Sequence, residues 1–375
     1  MAMETKKSRK SNFITVSIIA LVGIILIFSS FYTYWNSAPA EQTCASCHEI
    51  SSRVTSLSHS AHREVSCKEC HGTALSNGLH SLKEKSMMFI GHLKGKKPDE
   101  VRMNEEQYLA VMESCARCHT SEYAKWKSGG HSANYSHIFL DEKHNSIEQL
   151  NYDCLRCHGM FYENSIDELV DNKSTKGPWN LMDKKKATQP TMPCSACHSI
   201  HVDGEIAQIP DYANPSEIFY NRDGKTPEVS FYVRSEKIHV PVDLLSKPNI
   251  THEGKNIMVS DDPMMRNCVQ CHAPNTFHVS ATSDDRTPRG VHEGLSCMAC
   301  HEPHSNDAKN SCIKCHPAIS NCNLDVTTMN TTYANTDSPN NIHWVSCTDC
   351  HTDGSKKSVF AQNCICTEQN NPDTQ

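Results

Sequence analysis

The pattern Cys-x-x-Cys-His recurs nine times along this 375-residue chain, and no other feature restricts its fold so strongly. The copies are Cys44, Cys47 and His48; Cys67, Cys70 and His71; Cys115, Cys118 and His119; Cys154, Cys157 and His158; Cys194, Cys197 and His198; Cys268, Cys271 and His272; Cys297, Cys300 and His301; Cys312, Cys315 and His316; and Cys347, Cys350 and His351. They use eighteen of the 21 cysteines and leave Cys322, Cys364 and Cys366 outside the pattern. Over residues 36–375 one copy falls about every 38 residues. That is too little chain to build a separate apolar core around each.

Three chemistries use paired cysteines, and the spacing separates them. A structural zinc takes four ligands, so pairs would combine two by two; nine is odd, and zinc gives no reason for a histidine after every pair. Disulfide frameworks suit short secreted chains, whereas cysteines two residues apart usually form a redox pair. Covalent haem c accounts for the whole pattern: two thiols form thioethers to the haem vinyls, and the adjacent histidine becomes the proximal iron ligand. One copy would be weak; nine without exception carry the reading. The sequence predicts nine covalently bound haem c groups.

A hydrophobic share of 37%, a mean hydropathy of −0.55 and 23 histidines do not describe a large apolar interior. The expected fold class is mainly α with much irregular structure, a multihaem cytochrome c in which the haems form the core, with one N-terminal transmembrane helix. The formal charge of −7 becomes more negative with haem propionates, so nucleic acid is not an expected partner.

The basic run Lys6–Lys10 precedes residues 13–35, which carry no charge and end in Phe31, Tyr32, Tyr34 and Trp35. That length spans a bilayer, and the basic flank stays cytoplasmic. Residues 1–12 thus read as a cytoplasmic segment and 13–35 as a single-pass anchor in the inner membrane, with the haem part in the periplasm. A cleaved signal peptide ending near Ala38-Pro39-Ala40 is the other reading, and it also exports the motifs. Trp35 and Cys44 are close enough that extended chain reaches roughly 30 Å at most, keeping the first motif near the membrane.

Asn104–His119 reads as a helix, with Asn104 as cap, Gln107 reaching back, and Tyr108, Val111, Met112 and Cys115 on one face. Residues 173–193 read as a linker between a tetrahaem domain, 36–172, and a pentahaem domain, 194–375. In the long motif-free stretch 199–267, alternation around Val229, Phe231 and Val233 predicts a short strand or hairpin.

Fourteen histidines lie outside the motifs, enough to close nine irons. The distal candidates are His62, His131, His137, His201, His239, His278, His292, His304 and His343. His201 and His304 lie three residues after motif histidines, a reach of about 10 Å at most. Neither can round the porphyrin edge, so each serves a different haem. The same holds for His62, His292 and His343, each four or five residues before a motif.

The stretch "CASCHEISSRVTSLSHSAHREVSCKECHG", with "GLHSLKEKSMMFIGH" and the motifs at Cys115 and Cys154, resembles the NapC/NirT-type membrane-anchored quinol dehydrogenases over about the first 160 residues. The resemblance implies a four-haem head that takes electrons from membrane quinol and passes them to a periplasmic reductase. It points to Lys83 and Lys85 as quinol-site candidates. Relatives often place a methionine two residues after the first motif histidine, where this chain has Ile50, so the sixth ligand there is left to Met87, Met88 or another group. The last five motifs are similar to wider multihaem cytochromes that include nitrite and hydroxylamine enzymes.

Two functions follow. One is an electron conduit of anaerobic respiration, from membrane (mena)quinol to a periplasmic redox partner or terminal reductase, with every iron closed by two histidines. The other is a reductase of nitrite, hydroxylamine or a sulfur oxyanion with one open iron, its pocket walled by Tyr220, Tyr232, Lys237 and His239. The absence of Cys-x-x-Cys-Lys favours the conduit. A disulfide from Cys322 to Cys364 or Cys366 is expected to fasten the tail.

Overall fold

The computed structural model describes residues 4–45, 48–72, 89–95, 102–147, 149–171, 176–204, 210–212, 228–272, 286–305, 308, 311–319, 325–327 and 343–345. Cys47, Lys83, Lys85, Met87, Met88, Tyr220, His278, Cys322, Cys347, Cys350, His351, Cys364 and Cys366 lie outside them.

The apolar N-terminal run forms a helix, Glu4–Ser37, longer at both ends than the expected 13–35. Its stretch Asn12–Ser37, with a hydropathy of 2.6, is long and apolar enough to cross a membrane. The helix stops before Pro39, which has no amide hydrogen to continue it. Its last carbonyls are not left orphaned: Lys68 Nζ donates to Asn36 O at 2.8 Å and Ala38 O at 2.7 Å. A cation at a helix C-terminus also meets the negative end of the dipole.

Beyond this helix the described chain is short helices, single turns and four two-stranded sheets. It divides into two compact units. The first comprises Met1–Lys127, Ser132–Ala207 and Lys225–Pro241. It contains the predicted helix, Glu105–Cys115, with the full capping box. Gln107 N donates to Asn104 Oδ1 at 3.0 Å, and Asn104 N donates to Gln107 Oε1 at 2.8 Å. Its main core joins Tyr135, Phe139, Leu155, Tyr162, Ile166, Leu169, Val170, Trp179 and Leu181. Residues 173–193 are therefore no simple linker: Trp179 and Leu181 are buried, and Asn180–Leu181 pairs antiparallel with Val170–Asp171. The fifth motif also belongs to this unit rather than to the C-terminal one. At the edge of this core Lys186 Nζ lies 2.5 Å from Glu105 Oε2, and the Tyr135 hydroxyl donates to Glu105 Oε1.

The predicted hairpin is present as Ser230–Val233 paired with Ile238–Pro241, its four-residue loop closed by Lys237 at φ 56. It is sewn to the fifth motif, because Ser230 N donates to Cys197 O at 2.8 Å and Ser199 N to Glu228 O at 2.9 Å. Phe231 and Tyr232 turn inward. Tyr232 stacks on Phe161, which contacts Tyr108 of the capped helix, with centroids 4.1 and 4.0 Å apart.

The second unit comprises Ser128–His131, Gln208–Gly224 and Val242–Gln375. A hairpin, Ile250–His252 with Lys255–Ile257, turns through Glu253 and Gly254, both at positive φ, the backbone of a two-residue type I′ turn. Ile250, Val259, Met265 and Val269 form its core, with Cys297 packed against it. Asp262 ties the segment together, accepting from the Tyr212 hydroxyl and from Ser296 Oγ.

Candidate haem sites

Each described motif is wound as one helical turn. The histidine amide donates to the first cysteine's carbonyl at 2.9 Å for His119, His158 and His301, 3.0 Å for His198 and 2.8 Å for His316. An i to i+3 spacing puts both thiols on one face of that turn, with the histidine one residue further round. Spacing and secondary structure thus agree on a single two-thiol, one-imidazole presentation.

The thiols sit in surroundings that disfavour thiolate. Burial pushes Cys70, Cys115, Cys154 and Cys312 up, Cys194 up to about 12 and Cys300 up to about 11. Neutral sulfur suits a thioether, whereas zinc requires thiolate. Among the described residues the one group of three or more such ligand atoms within 4.8 Å of one another is His48, Glu49 and His92. No cysteine quartet is assembled there.

The histidines supply the fit test for haem. Five motif histidines each face a histidine from elsewhere in the chain. Ring centroids are 5.9 Å apart for His48–His92, 6.1 Å for His62–His119, 6.1 Å for His71–His201, 6.2 Å for His131–His272 and 5.8 Å for His301–His343. An iron bound about 2 Å from one nitrogen of each imidazole puts the ring centres roughly 6 Å apart. Direct ring stacking would bring them closer, as in Phe161 and Tyr232. Burial also holds His62, His131 and His201 below the usual imidazole range, favouring the neutral, ligating form.

Second partners orient these rings. His131 Nδ1 is 3.2 Å from Pro303 O and His201 Nδ1 is 3.0 Å from Arg53 O, which in each leaves Nε2 for a metal. Glu49 Oε1 lies 3.3 Å from His92 Nδ1 and 3.2 Å from His48 Nε2. His343 is carried beside His301 by a parallel pairing of Arg289–Gly290 with Trp344–Val345.

Of the expected distal residues, His62, His131, His201 and His343 thus stand opposite motif histidines. His92 does so without having been among the nine candidates. Its only sequence signal is its place at the end of "SMMFIGH". His137, His239, His292 and His304 are not brought into these five pairs. His137 is exposed on the turn Tyr135–Phe139. His239 Nε2 donates to Ser195 O at 2.8 Å, and its ring lies 5.1 Å from that of Tyr232. His304 Nδ1 lies 3.3 Å from Glu302 Oε1, and His292 O accepts from Leu295 N at 3.1 Å.

Motifs also touch one another. Arg117 of the third donates to Glu69 of the second, at the backbone carbonyl and at Oε2, the latter at 3.3 Å. Cys297 of the seventh hydrogen-bonds Cys268 of the sixth, which with burial raises the Cys268 thiol well above its usual value. Lys314 of the eighth reaches Cys300 O of the seventh at 3.4 Å. Attachment points this close place their macrocycles as neighbours.

Residues 38–209 match the family described as outer membrane cytochrome MtrC/MtrF-like, domains II/IV. This stretch holds the first five motifs, and it is not the NapC/NirT family that the same region resembles in sequence. No curated protein and no solved structure matches the chain. Nine attachment motifs, five of them inside the matched stretch, make the chain a multihaem c-type cytochrome, a protein of electron transfer.

Proposed function

We propose that the chain is a membrane-anchored electron conduit that binds nine haem c groups, takes electrons from membrane quinol and delivers them to a periplasmic acceptor in anaerobic respiration. The observation that carries this reading is the set of five facing histidine pairs: a conduit needs irons closed on both sides, and an open catalytic iron needs one side free. Bound haem supplies a one-electron iron couple at each site. The chain's own task is to fix the rings. His48 with His92, His71 with His201, His119 with His62, His272 with His131 and His301 with His343 are the proposed axial ligands, and His158, His198, His316 and His351 the proximal ligands of the rest. Paired imidazoles keep potentials low relative to methionine ligation.

The anchor is the helix Glu4–Ser37, placed in the inner membrane with residues 38 onward in the periplasm. Lys68, inside the second motif, holds its carbonyl end. That contact supports an entrance for electrons at the first two haems, within reach of a lipid-borne donor. Lys83 and Lys85 are the proposed quinol contacts.

Two measurements test this. Pyridine haemochrome assay is expected to give nine haems per chain, and seven or fewer would remove the premise. In liposomes, reduced menaquinol analogues are expected to reduce the full-length protein but not a form cut before Glu41, while dithionite reduces both. Equal rates with quinol for the two forms would reject quinol as the donor.

A further inference from the structure

Four residues between the third and fourth motifs, Ser128–His131, pack with the second unit, although the chain on either side, up to Lys127 and from Ser132, belongs to the first. This short strap carries His131 to 6.2 Å from His272, ring centre to ring centre, across 141 residues of sequence. It rests on the loop that follows the seventh motif. His131 Nδ1 meets Pro303 O at 3.2 Å. A Cβ added at Gly129 would lie 2.5 Å from Ser305 O and 2.8 Å from its carbonyl carbon, both backbone atoms that cannot swing away. That loop is itself braced, because Glu302 Oε2 accepts from Ser305 N at 2.8 Å and from Ser305 Oγ at 2.9 Å. A Cβ added at the adjoining Gly130 would meet nothing within 4 Å. One glycine of the pair is fitted, the other is not.

We propose that Ser128–His131 is a lock on the iron of the sixth haem, that Gly129 and Pro303 are the residues that position it, and that displacing the strap opens this one iron to small ligands such as carbon monoxide. The proposal rests on the histidine-paired reading above. Pro303 O fixes the tautomer by accepting from Nδ1–H, so Nε2 presents its lone pair to the metal. Gly129 permits the backbone approach that carries the ring there; any larger residue must lift the strap from Ser305 and draw the imidazole back. Pro303 and Ser305 lie two and four residues after His301, so the distal side of the sixth haem is seated on the proximal loop of the seventh.

The test uses the full-length holoprotein with three substitutions, read by haem count, electron paramagnetic resonance and carbon monoxide uptake of the reduced form. His131→Gly is expected to keep nine haems and turn one of them high-spin, to bind one carbon monoxide more per chain than the unsubstituted protein, and to return to low spin with added imidazole. Gly129→Val is expected to give the same high-spin signal although His131 is intact, and Gly130→Ala to leave the spectrum unchanged. If His131→Gly yields no holoprotein, Gly129→Val decides. Nine haems with no new high-spin signal in the variant that decides overturns the lock. The same signal from Gly130→Ala overturns the role of Gly129. Fewer haems than motifs in the unsubstituted protein is a different failure, that of the histidine-paired conduit itself.

Discussion

Glu105 is a carboxylate held by two donors at the edge of an apolar core, with only 11% of its side chain exposed and Lys186 at 18%. Lys186 Nζ also lies over the rings of Tyr162 and Tyr135, 5.1 and 5.6 Å from their centroids. Removing one member of such a pair strands the other charge. Glu105→Ala is expected to cost about 3 kcal/mol in urea unfolding, and Tyr135→Phe about 1 kcal/mol, because the lysine still satisfies the carboxylate. A Glu105→Ala loss no larger than that of Tyr135→Phe would show that the lysine finds water instead. His239 is a different case: burial lowers its pKa, so the unfolded chain takes up the proton first as pH falls. Its contribution is complete above about 6.5 and is lost as pH drops below that value. Urea midpoints of the hairpin unit are therefore expected to fall between about pH 6.5 and 5, and less steeply in His239→Gln. At this scale the motif cysteines and histidines were legible because their chemistry is written in adjacent positions. His92 was not, because facing His48 is a property of tertiary placement, and a lone histidine after "MMFIG" looks like any surface imidazole. His239 misled for the same reason. It lies among strand residues in a long insert, and only the pairing of Tyr232 with His239 shows where it sits.

Elements with local rules were read well. The capping box predicted the start of Glu105–Cys115, and Asn104→Ala, which removes the acceptor for Gln107 N, is expected to cost about 1 kcal/mol. The check is urea unfolding beside Asn151→Ala, whose side chain accepts from Asp153 N at the fourth motif. A cap that costs nothing at Asn104 would mean the helix is held by packing of Met112 and Tyr108 alone. Alternation likewise found the hairpin at Phe231. Residues 173–193 were misread because two buried side chains, Trp179 and Leu181, stand among lysines, threonines and prolines, and a two-residue strand followed by a single turn leaves no period to detect. Core membership there is decided by what Phe139 and Leu169 offer: Phe139 O accepts from Trp179 N at 3.1 Å and Leu169 O from Met182 N at 2.9 Å.

Across the whole molecule, local turns present the haem attachments while distant histidines complete the sites. The opposing ring comes from upstream for His119 and His272, and from downstream for His48, His71 and His301. Export begins at the N-terminus, so this asymmetry sets a timetable for maturation. When the second motif emerges, His201 is still 130 residues behind His71. The site at His71 must wait half-built while three further motifs pass out. The sites at His119 and His272 meet their partners, His62 and His131, already outside. Newly exported chain thus alternates between sites that can close at once and sites exposed to whatever small ligand or misplaced histidine arrives first, and the second is the one left exposed longest among the five pairs.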